Sequence, residues 1–390
     1  MVNELGRTQK APKNVLMIHH RLFASLFTLT PLYLFTHPVL QLIGYGSILS
    51  IFLLCVYDFI GRLRSIRVTQ WWNWFFVWSA YSLITYVRKP SMGALYALLL
   101  QMVLLLFPCM LSSVNWTTRI ITSVSLACKV LCGLLFVPML AVASVGTGVG
   151  YAMFNNVFSP VLYKLLLPCS YFFLVDSKHK LWLTLFFAFL FIRTGERTSA
   201  GVILMVFAFY VFLGMFQRAK FVKRQLFSMV FLMTICSVFV YIALQYHPVG
   251  AYLNRVFREF TGGNFFSGRQ RLWGIAVTHA KESPLFGVGL NNRVLASYGI
   301  GLSLHNTYLH LILQGGLVEL LLFYGFLRSI WREYLRNFQN DRVRLAASFL
   351  LGMLVFINFE VTMIGNTVTT ALYFWLVLAV GLGVGGLTSS

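Results

Sequence analysis

Long apolar segments separated by short polar breaks dominate the chain. A helix that crosses the hydrocarbon core of a bilayer, about 30 Å thick, needs about 20 mostly apolar residues. Twelve segments approach this pattern and predict an all-α, polytopic integral membrane protein. They cover residues 16–36, 39–59, 71–87, 92–112, 119–144, 155–175, 180–194, 198–216, 226–246, 305–327, 344–361 and 363–384. Because segment 180–194 is short, a tilted or re-entrant segment is an alternative there.

One break between predicted spans is much longer than the others and covers residues 247–304, between spans nine and ten. Apolar residues recur in it at helical spacing, which favours short helices over a disordered segment. They are Phe257, Phe260, Leu272, Trp273 and Ala276. We therefore expect one membrane domain over residues 1–390, with a structured loop at 247–304.

Composition supports a membrane protein and removes the main soluble alternative. Hydrophobic residues make up 58% of the chain and charged residues 11%, whereas a soluble domain carries about 25% charged residues. The 31 Lys and Arg against 10 Asp and Glu would suggest nucleic acid as a partner in a soluble protein. Here the basic residues lie mostly in short breaks between spans, and the interleaving of arginine with aromatic residues typical of an RNA-binding face is missing, so we expect no nucleic acid partner.

The distribution of Lys and Arg predicts the orientation in the membrane. Alternate breaks are basic, and basic loops stay in the cytoplasm. With twelve spans, this places both termini in the cytoplasm and residues 247–304 on the opposite side. The basic groups are Arg7/Lys10/Lys13, Arg62/Arg64/Arg67, Lys178/Lys180, Arg218/Lys220/Lys223/Arg224 and Arg328/Arg332/Arg336/Arg342/Arg344. The basic, polar stretch of residues 1–21 is too long for a cleaved signal peptide.

Several cations remain on the side opposite the cytoplasm, where this rule does not explain them. They are Arg193, Arg197, Arg255, Arg258, Arg269, Arg271, Lys281 and Arg293. A planar guanidinium binds phosphate oxygens through two hydrogen bonds, so several such groups at a membrane surface suit a lipid-linked diphosphate. The alternative is that they are solvated arginines that reach toward lipid headgroups.

A short helix is predicted directly after residues 267–268, a Ser-Gly pair that favours a helix start. It would present Arg269 and Trp273, four residues apart, on one face. The turn that follows at residues 284–289, Pro-Leu-Phe-Gly-Val-Gly, contains glycines that permit positive φ or a close approach of two backbones.

His305 and Asn306 precede the next predicted span, and Gly315-Gly316 follows about ten residues later. A histidine at the membrane boundary can be neutral near pH 7 and accept a proton from a sugar hydroxyl. Asn306 would then orient either the imidazole ring or the acceptor. The alternative for His305 is an interfacial polar residue that marks the start of a helix.

These elements, which together cover about residues 264–317, resemble the characteristic region of the O-antigen ligase and polymerase superfamily, which also contains capsule and exopolysaccharide polymerases. The resemblance implies a GT-C-like fold in a bacterial inner membrane, with the active site in the periplasm. It implies a metal-independent inverting glycosyltransferase without a cofactor, whose donor is an oligosaccharide on undecaprenyl diphosphate. The acceptor would be a second lipid-linked glycan in a polymerase or the lipid A core in a ligase, and a chain-length regulator would be a further partner of a polymerase.

Position by position, the resemblance implies that Arg269 and Arg197 contact the diphosphate and that His305 activates the acceptor hydroxyl. Arg193 is the alternative to Arg197. The residues predicted to bind substrate are Arg193, Arg271, Trp273, Asn306 and Arg293.

Glu319 departs from the ligase pattern, in which the residue three positions after the glycine is typically Gly, Thr or Tyr. This departure and the Gly-Arg-x3-Trp element at residues 268–273 favour a polymerase over a ligase. Two other classes compete. A flippase for lipid-linked sugars would carry its cations along an internal path. A peptidoglycan polymerase of the shape and division family relies on an acidic catalytic residue in its loop, and residues 247–304 contain only Glu259 and Glu282, so this class ranks third.

Three ionisable residues lie inside or at the ends of predicted spans: Lys129, Lys164 and Glu360. Charges at such positions are costly, and they usually face a cavity or a partner of opposite charge. Either a groove for the lipid diphosphate or a structural ion pair would explain them.

Overall fold

A computed structural model describes residues 19–35, 37–61, 70–114, 116–145, 161–261, 265–266, 269–290, 294–300, 303–364 and 368–387. These residues form an all-helical structure. Its α-helices are α1 (His20–Leu29), α2 (Pro38–Gly61), α3 (Gln70–Arg88), α4 (Met92–Ser112), α5 (Thr118–Val145), α6 (Val161–Lys164), α7 (Leu166–Leu174), α8 (Lys180–Arg193), α9 (Arg197–Met215), α10 (Lys220–Leu244), α11 (Pro248–Thr261), α12 (Arg269–Ala280), α13 (Val294–Ser297), α14 (Thr307–Arg336), α15 (Asp341–Phe356) and α16 (Val368–Leu387). A 3₁₀ helix, Thr30–Leu34, follows α1.

Every apolar segment predicted from the sequence coincides with one or two of these helices, but not all of the helices suffice to cross a membrane. Among the described residues, six helices are long and apolar enough: α2, α4, α5, α9, α10 and α14. The α7 region and α16 are apolar but shorter. The prediction of about twelve spans is therefore not confirmed. One reason is length, because the 14 residues of α8 extend about 21 Å at 1.5 Å per residue.

The centre of the bundle is formed by α14, α15 and α16. Residues 371–380 of α16 are buried on every side, which is typical of a helix surrounded by others. Small residues permit the close packing that drives helix association in lipid. Gly352 of α15, for example, lies so close to α9 that a Cβ atom there would be 2.4 Å from Val206.

Ion pairs collect at the two opposite ends of the bundle. At one end, Asp341 at the start of α15 pairs with Lys180 of α8 at 3.3 Å. At the other end, beyond the C-terminus of α15, Glu360 pairs with Lys164 at 2.7 Å. We call these the Asp341 end and the Glu360 end. Lys180 and Arg344, from two breaks that the basic-loop pattern assigns to one side of the membrane, both pair with Asp341. The basic groups Arg7/Lys10/Lys13 and Arg62/Arg64/Arg67 lie outside the described residues.

Helix α14 is interrupted at Gly316, which has φ of +69° and ψ of −161°. The turn at residues 284–289 fills the interruption and supplies the missing backbone partners. Leu317 N–H donates to the carbonyl of Pro284 at 2.8 Å, and Val288 N–H donates to that of Leu313 at 2.7 Å. Unpaired backbone groups are costly in a membrane-spanning helix, so the turn and α14 stabilise each other.

The glycines of this turn take the role that the sequence predicted. Gly287 has φ of +66° and Gly289 has φ of +116°, values that favour glycine. A Cβ atom on Gly287 would lie 2.5 Å from the backbone of Gln314. Close backbone approach is therefore required here, as expected from the pattern. Helices α11, α12 and α13 lie in the predicted loop at 247–304, while the proposed cap at residues 267–268 lies outside the described residues.

Candidate functional site

The Glu360 carboxylate lies at the centre of a charged cluster between α15 and α16. Lys164 Nζ is 2.7 Å from its Oε1 atom, and Arg269 Nη2 is 3.6 Å from the same oxygen. His305 Nδ1 is 3.4 Å from Oε2. The three partners come from α6, from the start of α12 and from the residues before α14. The fold therefore gathers one anion and three basic side chains from distant parts of the chain, and we call this set the Glu360 cluster.

Glu196, in the connection between α8 and α9, is a second acid beside the Glu360 cluster. It is 8% exposed. Burial raises the pKa of Glu196 to about 7; the positive charges of Lys164 and Arg269 oppose this rise, and the negative charge of Glu360 adds to it. Near neutral pH this carboxyl is thus partly protonated.

Glu360 behaves in the opposite way, although it too is buried. Burial acts to raise its pKa, but the hydrogen bond with His305 and the positive charge of Lys164 outweigh that effect and hold the pKa of Glu360 below its usual value. The two carboxyls therefore differ in charge at neutral pH, with Glu360 ionised and Glu196 partly neutral. Such separation of neighbouring carboxyl groups is typical of functional sites.

His305 is held in a backbone conformation that non-glycine residues rarely adopt, with φ of +48°. Strain of this kind costs about 1–3 kcal/mol and persists where neighbouring structure fixes it. Two contacts do so: Trp273 Nε1 donates to the carbonyl of Leu304 at 2.9 Å, and Thr307 N–H donates to the carbonyl of Ile357 at 2.8 Å. The His305 side chain is 36% exposed, so its ring remains accessible from outside.

Asn306 is fully buried and caps α14. Its Oδ1 accepts from Leu309 N–H at 2.9 Å, and its Nδ2 donates to the carbonyl and the Oδ1 of Asn358 at 2.8 Å. Trp273 is also buried, at 1% exposure. Both residues fix the segment that contains His305, and their contact with substrate stays a prediction.

Arg269 and Trp273 lie on one face of α12, as the spacing predicts. The Arg269 guanidinium lies 5.7 Å from the centre of the Phe359 ring, and the Trp273 ring lies 6.3 Å from the same ring. Phe359 immediately precedes Glu360, so this face of α12 packs on the connection that carries the central carboxylate.

Each of the other predicted arginines has its own surroundings. Arg197 begins α9 next to Glu196, and its guanidinium lies 5.6 Å from the Phe257 ring of α11. Arg193 is exposed at the end of α8. Arg271 lines a separate surface cavity of about 310 Å³ with Tyr246 and Tyr298 among its neighbours. Arg293 lies outside the described residues.

Sequence patterns missed the centre of this site. The positions of Lys164 and Glu360 in predicted spans indicated either a groove or an ion pair, and the structure pairs them with each other at 2.7 Å. No pattern predicted that Glu196 lies beside them. One signal was present: Glu196 stands between Arg193 and Arg197 in a short break, and an acid in such a position requires a partner.

Residues 182–324 match the Wzy_C family model, which describes the O-antigen ligase family. The match confirms the resemblance to the O-antigen ligase and polymerase superfamily, whose members are membrane enzymes. No curated protein matches this chain. The matched region includes Glu196, Arg269 and His305, whereas Lys164 precedes it and Glu360 follows it. The Glu360 cluster therefore combines residues from inside and outside the matched region.

Proposed function

We propose that this chain of the O-antigen ligase and polymerase superfamily is a periplasm-facing, metal-independent inverting glycosyltransferase. Its donor would be a glycan on undecaprenyl diphosphate. The observation that supports this most directly is the Glu360 cluster: an ionised carboxylate in contact with a histidine, a lysine and an arginine at one end of a membrane bundle. These are the groups that proton transfer and diphosphate stabilisation require.

His305 is the proposed general base. Its Nδ1 faces the ionised Glu360, so the neutral ring carries its proton on Nδ1 and leaves the Nε2 lone pair free to accept another. Nε2 takes the proton of the acceptor hydroxyl while that oxygen bonds to the anomeric carbon. The bond from this carbon to the diphosphate oxygen breaks at the same time, and the configuration inverts. Glu360 stabilises the resulting imidazolium.

Arg269, Arg197 and Lys164 are proposed to stabilise the negative charge that develops on the departing diphosphate. The 3.6 Å contact from Arg269 to Glu360 is longer than a hydrogen bond, so its N–H groups remain available to phosphate oxygens. Arg197 directly follows Glu196, at the start of α9. Arg271, in its separate cavity, would contact sugars of the glycan distant from the reacting bond, and Arg193 and Arg293 remain proposed substrate ligands.

Polymerase and ligase differ in the acceptor, and the buried position of Glu319 removes one argument between them. Glu319 is 0% exposed, and its Oε1 accepts from Gln101 at 2.6 Å and from Trp78 at 3.2 Å. It therefore supports the interior of the bundle and does not select an acceptor. We retain the polymerase as the first proposal, with a second lipid-linked glycan as acceptor.

The O-antigen ligase description of the matched family favours the second candidate, a ligase with the lipid A core as acceptor. A deletion strain distinguishes the two. A polymerase deletion leaves single repeat units on the lipid core, and a ligase deletion leaves long chains on undecaprenyl diphosphate. A flippase is less favoured because the Glu360 cluster lies at one end of the bundle, whereas a transport path would place cations along its length.

A transfer assay with purified protein tests the proposed base. In EDTA, with a lipid-diphosphate glycan and an acceptor, His305→Ala should slow transfer by about 10²–10⁴-fold, the usual contribution of a general base. His279→Ala is the matched control, because His279 also pairs with a glutamate, Glu282, at 3.0 Å, yet lies outside the Glu360 cluster. Full activity in His305→Ala, or transfer by the wild type that requires added metal, would overturn the mechanism.

A further inference from the structure

A cavity of about 300 Å³ lies between α5 and α7 at the Asp341 end, on the side of the bundle away from the Glu360 cluster. Polar residues of α5 line it along one helical face: Thr118, Thr122, Ser125 and Lys129. Its volume is roughly ten times the share of one water molecule in the liquid, enough for a phosphoglycerol group. The proposed transfer reaction uses none of these residues.

Three charged side chains meet in this cavity. Asp176, just after α7, lies 3.6 Å from Lys129 and 3.2 Å from Arg342 at the start of α15. Two positive charges against one negative charge leave a net positive charge, and all three side chains are partly exposed. The hydroxyl groups of α5 add hydrogen-bond donors. The cavity is therefore suited to an anion with several oxygen acceptors.

Its surroundings indicate that the anion belongs to a lipid. Leu126, on the cavity wall, is 62% exposed and its neighbour Val130 is 47% exposed, so this face of α5 presents apolar side chains outward beside the charged group. Lys129 lies 11 positions into α5, about 16 Å along the axis, and helical side chains point back toward the N-terminus. Its ammonium thus points toward the polar end of the bundle, while the outward-facing side chains beside it, Leu126 and Val130, are apolar.

We propose that this cavity binds the phosphate of an anionic phospholipid from the leaflet at the Asp341 end. Lys129 and Arg342 hold the phosphate, the α5 hydroxyl groups donate to it, and the acyl chains lie along the exposed apolar face of α5. Basic pockets between membrane helices are known to take lipid headgroups in this way. The bound lipid joins α5, α7 and α15 and leaves the Glu360 cluster untouched.

The test uses two substitutions that break the same ion pair and yet change binding in opposite directions. The full-length protein in detergent is titrated with phosphatidylglycerol and, separately, with phosphatidylcholine, and the first bound lipid is followed by native mass spectrometry. Lys129→Met should weaken phosphatidylglycerol binding about fivefold, as expected for one cation near a membrane surface. Asp176→Asn removes the competing carboxylate and should strengthen binding by a similar factor.

Glu333→Gln is the matched control for net charge, because Glu333 pairs with the exposed Arg336 at 2.8 Å. It adds the same charge as Asp176→Asn and should leave the first binding event unchanged. Arg342→Gln replaces Lys129→Met if the latter does not fold. The proposal is overturned if both ion-pair variants shift binding in the same direction or not at all. It is also overturned if phosphatidylcholine binds as tightly, or if soluble glycerol phosphate competes at equal concentration.

Discussion

Glu360→Gln probes the Glu360 cluster most directly. The substitution keeps the size of the side chain and removes its charge, so Lys164 loses a partner at 2.7 Å in a setting where the two side chains are 13% and 10% exposed. Removal of one member of a buried pair costs about 3–5 kcal/mol because the remaining charge is uncompensated. The amide oxygen can still accept from Lys164, so we expect a loss of about 3 kcal/mol in the free energy of unfolding.

The same change removes the carboxylate that orients His305, and we expect transfer to slow by about 10²–10⁴-fold. Unfolding in mixed micelles with rising SDS fraction measures the stability, and the purified transfer assay measures the rate. The folded-state pKa of Glu360 lies below its usual value. Its contribution to stability is therefore present above the unfolded pKa of about 4.3 and is lost as the pH falls through the folded value. The variant should lack this acid-dependent loss.

A double variant separates the effect of the uncompensated Lys164 charge from the effect of the changed side chain at position 360. Lys164→Met in the Glu360→Gln background removes the uncompensated ammonium and should recover part of the lost stability, with a coupling of about 0.5–3 kcal/mol. Glu333→Gln, which breaks an exposed pair, should change stability by less than about 1 kcal/mol. Wild-type stability and an unchanged rate in Glu360→Gln would refute the idea that this carboxylate organises the site.

Three further outcomes are expected. Gly316→Ala should lose at least about 1 kcal/mol of stability, because φ is +69° and the new Cβ would lie 2.3 Å from the backbone of the 284–289 turn. Gly274→Ala is the control: a Cβ atom there has open space, so this variant should be close to neutral in the same SDS titration. Burial raises the pKa of Glu196 to about 7, so the folded state resists ionisation of this carboxyl, and the wild type should lose roughly 3 kcal/mol of stability as the pH rises from about 4 to about 8. Glu196→Gln should abolish this loss. An unchanged pH profile in the variant would contradict the reasoning. Arg269→Lys should slow transfer about tenfold or more despite the retained charge, because a lysine cannot make the paired guanidinium contact. Arg336→Lys is the matched control: Arg336 is exposed and pairs with Glu333 at 2.8 Å, away from the Glu360 cluster, so this variant should keep the wild-type rate. Equal rates for both variants would assign Arg269 to a structural role.

The periodic and compositional features of the sequence were sufficient to predict an all-helical membrane protein, but the count of about twelve spans is not confirmed. Apolar runs located the helices, because a membrane segment must bury its backbone polar groups in its own hydrogen bonds. The charge pattern grouped two breaks that meet in the structure, since Lys180 and Arg344 both pair with Asp341. The glycines of the 284–289 turn were recognised because positive φ and close approach are local requirements that few other residues meet.

The site itself was decided by the tertiary structure. Lys164, Glu196, Arg269, His305 and Glu360 come from five separate segments, and no local pattern states which cation will meet which carboxylate. The packing of the helices determines these pairs. A charge in apolar surroundings is tolerated only beside a partner, and the partner is the group that the neighbouring helix places there. For the same reason the contacts by which Asn306 and Trp273 fix the segment that contains His305 became visible only in the tertiary structure.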